Sequence, residues 1–149
     1  MRALNLLESL DLDRPVDEVW AMIADFDALS KWLPPVVSSV ADKGNEIGSV
    51  RHLVLDAPGD PSFDEELTAY DAAGRSYSYE ILAVDPQVLP VENYTSTIIV
   101  RDNGKGGAKV EWSGAFDAAS GFDGATPVEA VRGVYRAGLD SLTKMAAAA

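Results

Sequence analysis

Apolar residues recur along this chain at two periods, and the switches between them mark out its elements. Leu4, Leu6, Leu10 and Leu12 alternate with their neighbours and predict a first strand. Pro15 presets a helical turn with Asp17 and Glu18 at its positive end, and Val16, Val19, Trp20 and Ile23 form a helical stripe. A second short helix over 27–32 stops at Pro34-Pro35. Strands follow near 36–42, 48–56, 62–70, 75–83, 92–101 and 108–117. Turn-forming residues separate them, among them Lys43-Gly44-Asn45, Pro58-Gly59-Asp60, Asp85-Pro86 and Asn103-Gly104. Links this short join neighbours as hairpins, so the sheet is expected to be antiparallel.

Thr126-Pro127-Val128-Glu129 reads as a capping box. Val131, Tyr135, Gly138, Leu142 and Met145 continue it as one face of a helix from about Pro127 to about Lys144. The closing Met145-Ala-Ala-Ala-Ala149 is expected to fray. A meander of this kind buries one face only by curling around the last helix. The reading is an α+β fold of a single domain, 1–149: about seven antiparallel strands, two short helices after the first strand, and a long C-terminal helix.

Composition narrows the partners. With 12 basic and 24 acidic residues the net charge is −12, which repels phosphate backbones and anionic lipid headgroups. Neither nucleic acid nor membrane is an expected partner. The absence of cysteine excludes disulfides and thiolate chemistry, and the lone His52 cannot build a histidine-rich metal site, so no metal or cofactor is expected. The opening MRALNLLESL reads as neither signal peptide nor membrane anchor, and a cytoplasmic protein is expected.

Candidate chemistry lies on the strands. Tyr94 and Ser96 share a face with Ile98 and Val100, where a plain core would use apolar residues. Glu65 shares its face with Phe63, Leu67 and Ala69, while Asp64, Glu66, Thr68 and Tyr70 face the other way. A carboxylate there must be paired, hydrated or protonated, unless the strand is an edge from which Glu65 escapes to solvent. Arg51 alternates in phase with Leu53 and Leu55, so it can neutralise Glu65 or Glu111, and His52 then faces outward in a structural role. Tyr77, Tyr79 and Ile81 form another face, with Tyr77 read as core or rim. Hydrophobicity turns Val110, Trp112 and Phe116 inward and Glu111 outward. Gly133 and Gly138 weaken the last helix, leaving either space beneath it or close packing against the sheet. Asn103-Gly-Lys-Gly-Gly107 is a hairpin turn and lacks the phosphate-binding loop pattern.

The element order, together with Pro15-Val-Asp-Glu-Val-Trp20, Asp25-Phe26 leading to Trp32 and Pro34, and Gly48-Ser-Val-Arg51, resembles the helix-grip domains of the START-like (SRPBCC) superfamily. Ser76-Tyr-Ser-Tyr79, Leu89-Pro-Val-Glu-Asn-Tyr94, Val110-Glu-Trp-Ser113 and Gly133-Val-Tyr135 extend the likeness, which is nearest the bacterial polyketide cyclase/dehydrase-type branch. Many relatives read Trp-His-Pro where this chain has Trp32-Leu33-Pro34, so no role for that histidine carries over. The resemblance implies an apolar cavity between sheet and long helix, expected at roughly 300 Å³ or more. Its mouth would be guarded by Asp56–Pro61 and Asp85–Pro90. It also implies Glu111 inside and Trp112 over the convex face, the reverse of the hydrophobic reading.

The expected ligand-binding residues are Arg51, Leu53, Leu55, Glu65 and Leu67, with Tyr79, Tyr94, Ser96, Glu111 and Tyr135. The expected function is binding of a small lipid-like, aromatic or polyketide-like molecule. The alternative is a cyclase/dehydratase-like enzyme with Glu65 or Glu111 as base and Tyr79 or Tyr94 as donor. A third reading is an interaction module that uses an exposed Trp112 surface as a homodimer face. Fold alone does not choose among them.

Overall fold

The computed structural model describes residues 2–148. Its elements run β1 (Leu4–Leu12), α1 (Val16–Ile23), a 3₁₀ helix (Phe26–Lys31), β2 (Val36–Ala41), β3 (Val50–Leu55), β4 (Ser62–Asp71), β5 (Ser76–Ala83), β6 (Val91–Asp102), β7 (Ala108–Ala118) and α2 (Ala125–Ala148). The strands form one sheet in the order β1-β7-β6-β5-β4-β3-β2, antiparallel throughout. Only the step from β1 to β2 crosses the sheet, and α1 and the 3₁₀ helix occupy that crossing. The 3₁₀ helix is tied down at its start, where Asn45 Oδ1 accepts from the Phe26 N–H at 2.8 Å.

The concave face and α2 enclose the core, which is the helix-grip arrangement. On α2 the buried stripe is Val131, Tyr135, Gly138, Leu139, Leu142 and Ala146. The helix packs on β1 and β7 and stands away from β3, β4 and β5. That divergence positions the site.

Both ends of α2 depart from the sequence reading. It begins at Ala125, where the Asp123 carboxylate accepts from the Thr126 N–H at 2.9 Å and hydroxyl at 2.8 Å. Asp123 is the capping side chain, so Thr126 lies inside the first turn and no capping box forms. The tail expected to fray is helical through Ala148, because Ala146 is buried and its carbonyl accepts from Arg14.

Glu65 is not on an edge, since β4 lies between β3 and β5. A register shift between Leu67 and Ala69 also reverses one assignment. The extra residue of a bulge flips the faces beyond it. Ala69 is therefore exposed, while Tyr70 turns in, stacks on Tyr77 and donates to the Ala24 carbonyl at 2.6 Å. A second bulge, between Glu92 and Thr95 with Asn93 at φ 54°, lets Val91 and Tyr94 both point inward.

Candidate functional site

The divergence of α2 from the middle of the sheet leaves a cavity of about 90 Å³. Leu53 and Leu55 on β3, Phe63 and Glu65 on β4, Tyr79 and Ile81 on β5, Tyr94 on β6 and Trp112 on β7 form its sheet side. Val131, Val134 and Tyr135 of α2 close it, with Leu29, Leu33 and Pro35 at one rim and Val88 and Leu89 at the other. The Asp85–Pro90 loop thus contributes to the lining, whereas Asp56–Pro61 does not. Leu33 makes that rim apolar.

The cavity is smaller than the 300 Å³ expected because large rings fill its floor. Trp112 stacks on Tyr135 at 4.2 Å between centroids and 13° between planes, and Trp32 lies 5.2 Å from Trp112. Gly138 permits this: a Cβ there would sit 2.8 Å from Trp112, 2.9 Å from Trp32 and 3.0 Å from Leu33. Of the two alternatives, close packing is the one found at Gly138. Gly133 is exposed with open space around it, so it leaves no room beneath the helix.

Six of the predicted site residues line this cavity: Leu53, Leu55, Glu65, Tyr79, Tyr94 and Tyr135. Three others stand behind its wall. Leu67 is core, Ser96 lies under Tyr135 and Trp112, and Arg51 lies behind Glu65. Glu111 is on the outer face in an ion pair with Arg101, while Trp112 is inside at 2% exposure. The expectation of an inward Glu111 is corrected, and with it both the candidate base at Glu111 and the exposed Trp112 dimer face. The cause is the strand period, since Ala108, Val110, Trp112, Gly114 and Phe116 are all buried. His52 faces outward, 2.7 Å from Asp64, as alternation predicts.

Arg51 and Glu65 form a buried ion pair, 1% and 5% exposed. Arg51 Nε and Nη2 approach Glu65 Oε1 at 2.8 and 2.7 Å, leaving Oε2 outside the pair. The guanidinium also donates to the Phe26 carbonyl at 3.2 Å and lies 4.1 Å over the Phe26 ring and 4.7 Å over that of Tyr79. Burial raises the Glu65 carboxyl above its ordinary value, with Arg51 opposing. For Arg51 burial pulls downward, but the Glu65 charge wins and its value rises. A raised guanidinium is the mark of pairing and a raised carboxyl the mark of burial. Guanidinium does not shed its proton, so Arg51 stays charged, and burial is the decisive influence on Glu65.

A chain of polar side chains runs along the floor. Trp112 Nε1 donates to Tyr79 Oη at 3.1 Å and to Ser96 Oγ at 3.0 Å. Ser96 Oγ is 2.9 Å from Tyr135 Oη, which in turn bonds Tyr94 Oη. Burial raises all three phenols, aided at Tyr79 by the Glu65 charge and at Tyr94 by Tyr135. They remain neutral hydroxyls that give and take hydrogen bonds and do not act as bases. Sequence reasoning missed Trp112, Phe63, Ile81, Val131 and Val134 as lining, and Leu29, Leu33, Pro35 and Val36 at the rim, whereas Val88 and Leu89 lie in the loop expected at the mouth. Hydrophobic alternation alone already turned Trp112 inward.

Similarity to other proteins agrees with this geometry. The chain is similar to XoxI from Bacillus cereus, at 29% identity over 95% of this chain and 94% of that one, with a TM-score of 0.83. It is similar to an uncharacterized protein from Bacillus thuringiensis, at 30% identity, 95% and 98% coverage and a TM-score of 0.82. Ara h 8.0201 shares the fold, with a TM-score of 0.79 at 16% identity over 98% and 99% of the two chains. No protein of curated function matches the sequence. Residues 5–147 match the family described as polyketide cyclase / dehydrase and lipid transport, and it is to this family that the chain belongs.

Proposed function

We propose that this protein binds a small, mostly apolar molecule in the cavity between the sheet and α2. The observation that carries the reading is the lining: aliphatic and aromatic side chains on every side, with polar atoms confined to Glu65 and the tyrosines on the sheet and floor. Apolar walls supply affinity and a few fixed polar groups supply orientation, which is how small-molecule sites are built. Acid–base catalysis is the second reading, and the raised Glu65 carboxyl favours it. It is weaker because Arg51 holds that carboxylate and the phenols stay neutral.

Toluene is a suitable probe, being neutral and apolar. Its titration should shift the Trp112 indole N–H and the methyl resonances of Leu53 and Val131 saturably, with a Kd on the order of 0.1–10 mM. Val134→Trp, which fills the cavity from the helix side, should abolish those shifts. Wild-type resonances that do not respond to toluene, or a Val134→Trp variant that binds it equally well, would remove the binding reading.

A further inference from the structure

The polar chain on the cavity floor has a direction, because each hydroxyl has one proton to give. A main-chain carbonyl only accepts, so the Ser96 hydroxyl donates to the Ser113 carbonyl at 2.8 Å. Ser96 Oγ then accepts from Trp112 Nε1 and from the Tyr135 hydroxyl. Tyr135 has thereby used its proton, so the Tyr94 hydroxyl must donate to Tyr135. Tyr79 stands at the other end. Its oxygen accepts the Trp112 N–H, and the hydroxyl beside it, that of Ser96, already accepts from Trp112 and Tyr135, so the Tyr79 proton is left for a partner in the cavity that its buried side chain lines. Nearby in the same wall, Glu65 retains Oε2 outside its ion pair. One hydroxyl proton and one carboxylate oxygen on residues that line the cavity are therefore left for a ligand. Leaving either unmet is costly.

We infer that the ligand is a neutral, single-ring molecule bearing a hydroxyl group, whose oxygen accepts the Tyr79 proton and whose own proton goes to Glu65. This rests on the binding reading above and specifies its ligand. A hydroxyl is the smallest group that both accepts and donates, so it meets both needs at once. A carboxylate would face Glu65 while Arg51, the available counter-charge, is already engaged behind it. An ammonium would suit Glu65 but would leave the Tyr79 proton unmet. Size agrees with one ring: at 10–15 Å³ for each water-sized group, about 90 Å³ holds roughly six to nine non-hydrogen atoms.

The test compares p-cresol, toluene and benzoate by calorimetric titration of wild type and Tyr79→Phe. Wild type should bind p-cresol about five- to a hundredfold tighter than toluene and benzoate more weakly than either. Tyr79→Phe should remove the preference, bringing the p-cresol affinity down to that of toluene in the same variant. Toluene binding with no preference for p-cresol would overturn this inference and leave the binding reading standing. So would benzoate binding tightest, or a p-cresol preference that survives Tyr79→Phe. The wild-type comparison alone decides the matter if the variant does not fold. If none of the three compounds binds, the binding reading and this inference fail together.

Discussion

Replacing Glu65 with leucine strands a guanidinium that cannot lose its charge. Arg51 is 1% exposed and its carboxylate partner lies at 2.7 Å. Removing one member of such a pair costs about 3–5 kcal/mol, because the other is left buried and unpaired. Here the Phe26 carbonyl and two ring faces remain, and they recover about 1 kcal/mol. The expected net loss is about 2–4 kcal/mol, or roughly 4–16 °C in Tm for a chain of this size. Arg51→Met behaves differently, since a buried carboxyl can take up a proton. Burial already raises Glu65, and loss of Arg51 raises it further. The folded state then holds that proton more tightly than the unfolded chain. The resulting stabilisation is complete below the unfolded value near 4.5 and is lost as pH rises through the folded value. Arg51→Met should therefore cost less, relative to wild type, at pH 5 than at pH 8. The double variant Arg51→Met/Glu65→Leu should lie within about 1 kcal/mol of wild type or above it, because well-packed apolar residues replace buried ion pairs without loss. Urea unfolding followed by tryptophan fluorescence at the two pH values measures all four proteins. A loss under 1 kcal/mol for Glu65→Leu at pH 8, or a double variant costing the sum of the two single changes, would refute the reasoning.

Two glycines on α2 should respond in opposite senses. Gly133→Ala meets open space and should stabilise by about 1 kcal/mol in urea unfolding. Gly138→Ala drives a methyl into Trp112, Trp32 and Leu33; overpacking of up to about 3 kcal/mol should outweigh the helix-propensity gain of about 1 kcal/mol and lower the Tm. Tyr135→Phe removes the hydroxyl joining Ser96 to Tyr94 and should cost about 1–3 kcal/mol in the same assay, with Tyr94 left without its acceptor.

Much of the site was legible before any coordinates, for a simple reason. On a strand of fixed period, one inward residue assigns its alternates. Arg51, Leu53 and Leu55 face in with His52 out, as read, and so do Tyr77 and Tyr79. The same rule turned Trp112 in and Glu111 out, and setting it aside for the family pattern led to the wrong face. It failed where a bulge adds a residue. Nothing in Leu67-Thr68-Ala69-Tyr70 marks the slip that turns the half-buried Tyr70 inward, because the bulge is set by pairing with β5.

By itself, then, the sequence determined the element order, the antiparallel meander, the amphipathic last helix and most inward faces. All of these follow from local periodicity and turn chemistry. Tertiary structure decided what depends on distances between elements far apart in the chain. The meeting of Arg51 with Glu65 depends on the register of β3 on β4. The hydroxyl chain needs β5, β6, β7 and α2 to converge within hydrogen-bond reach. The volume of the cavity is what remains after Trp32, Trp112 and Tyr135 pack against the sheet and against one another, because close packing is a property of all the surrounding side chains together and of no single segment.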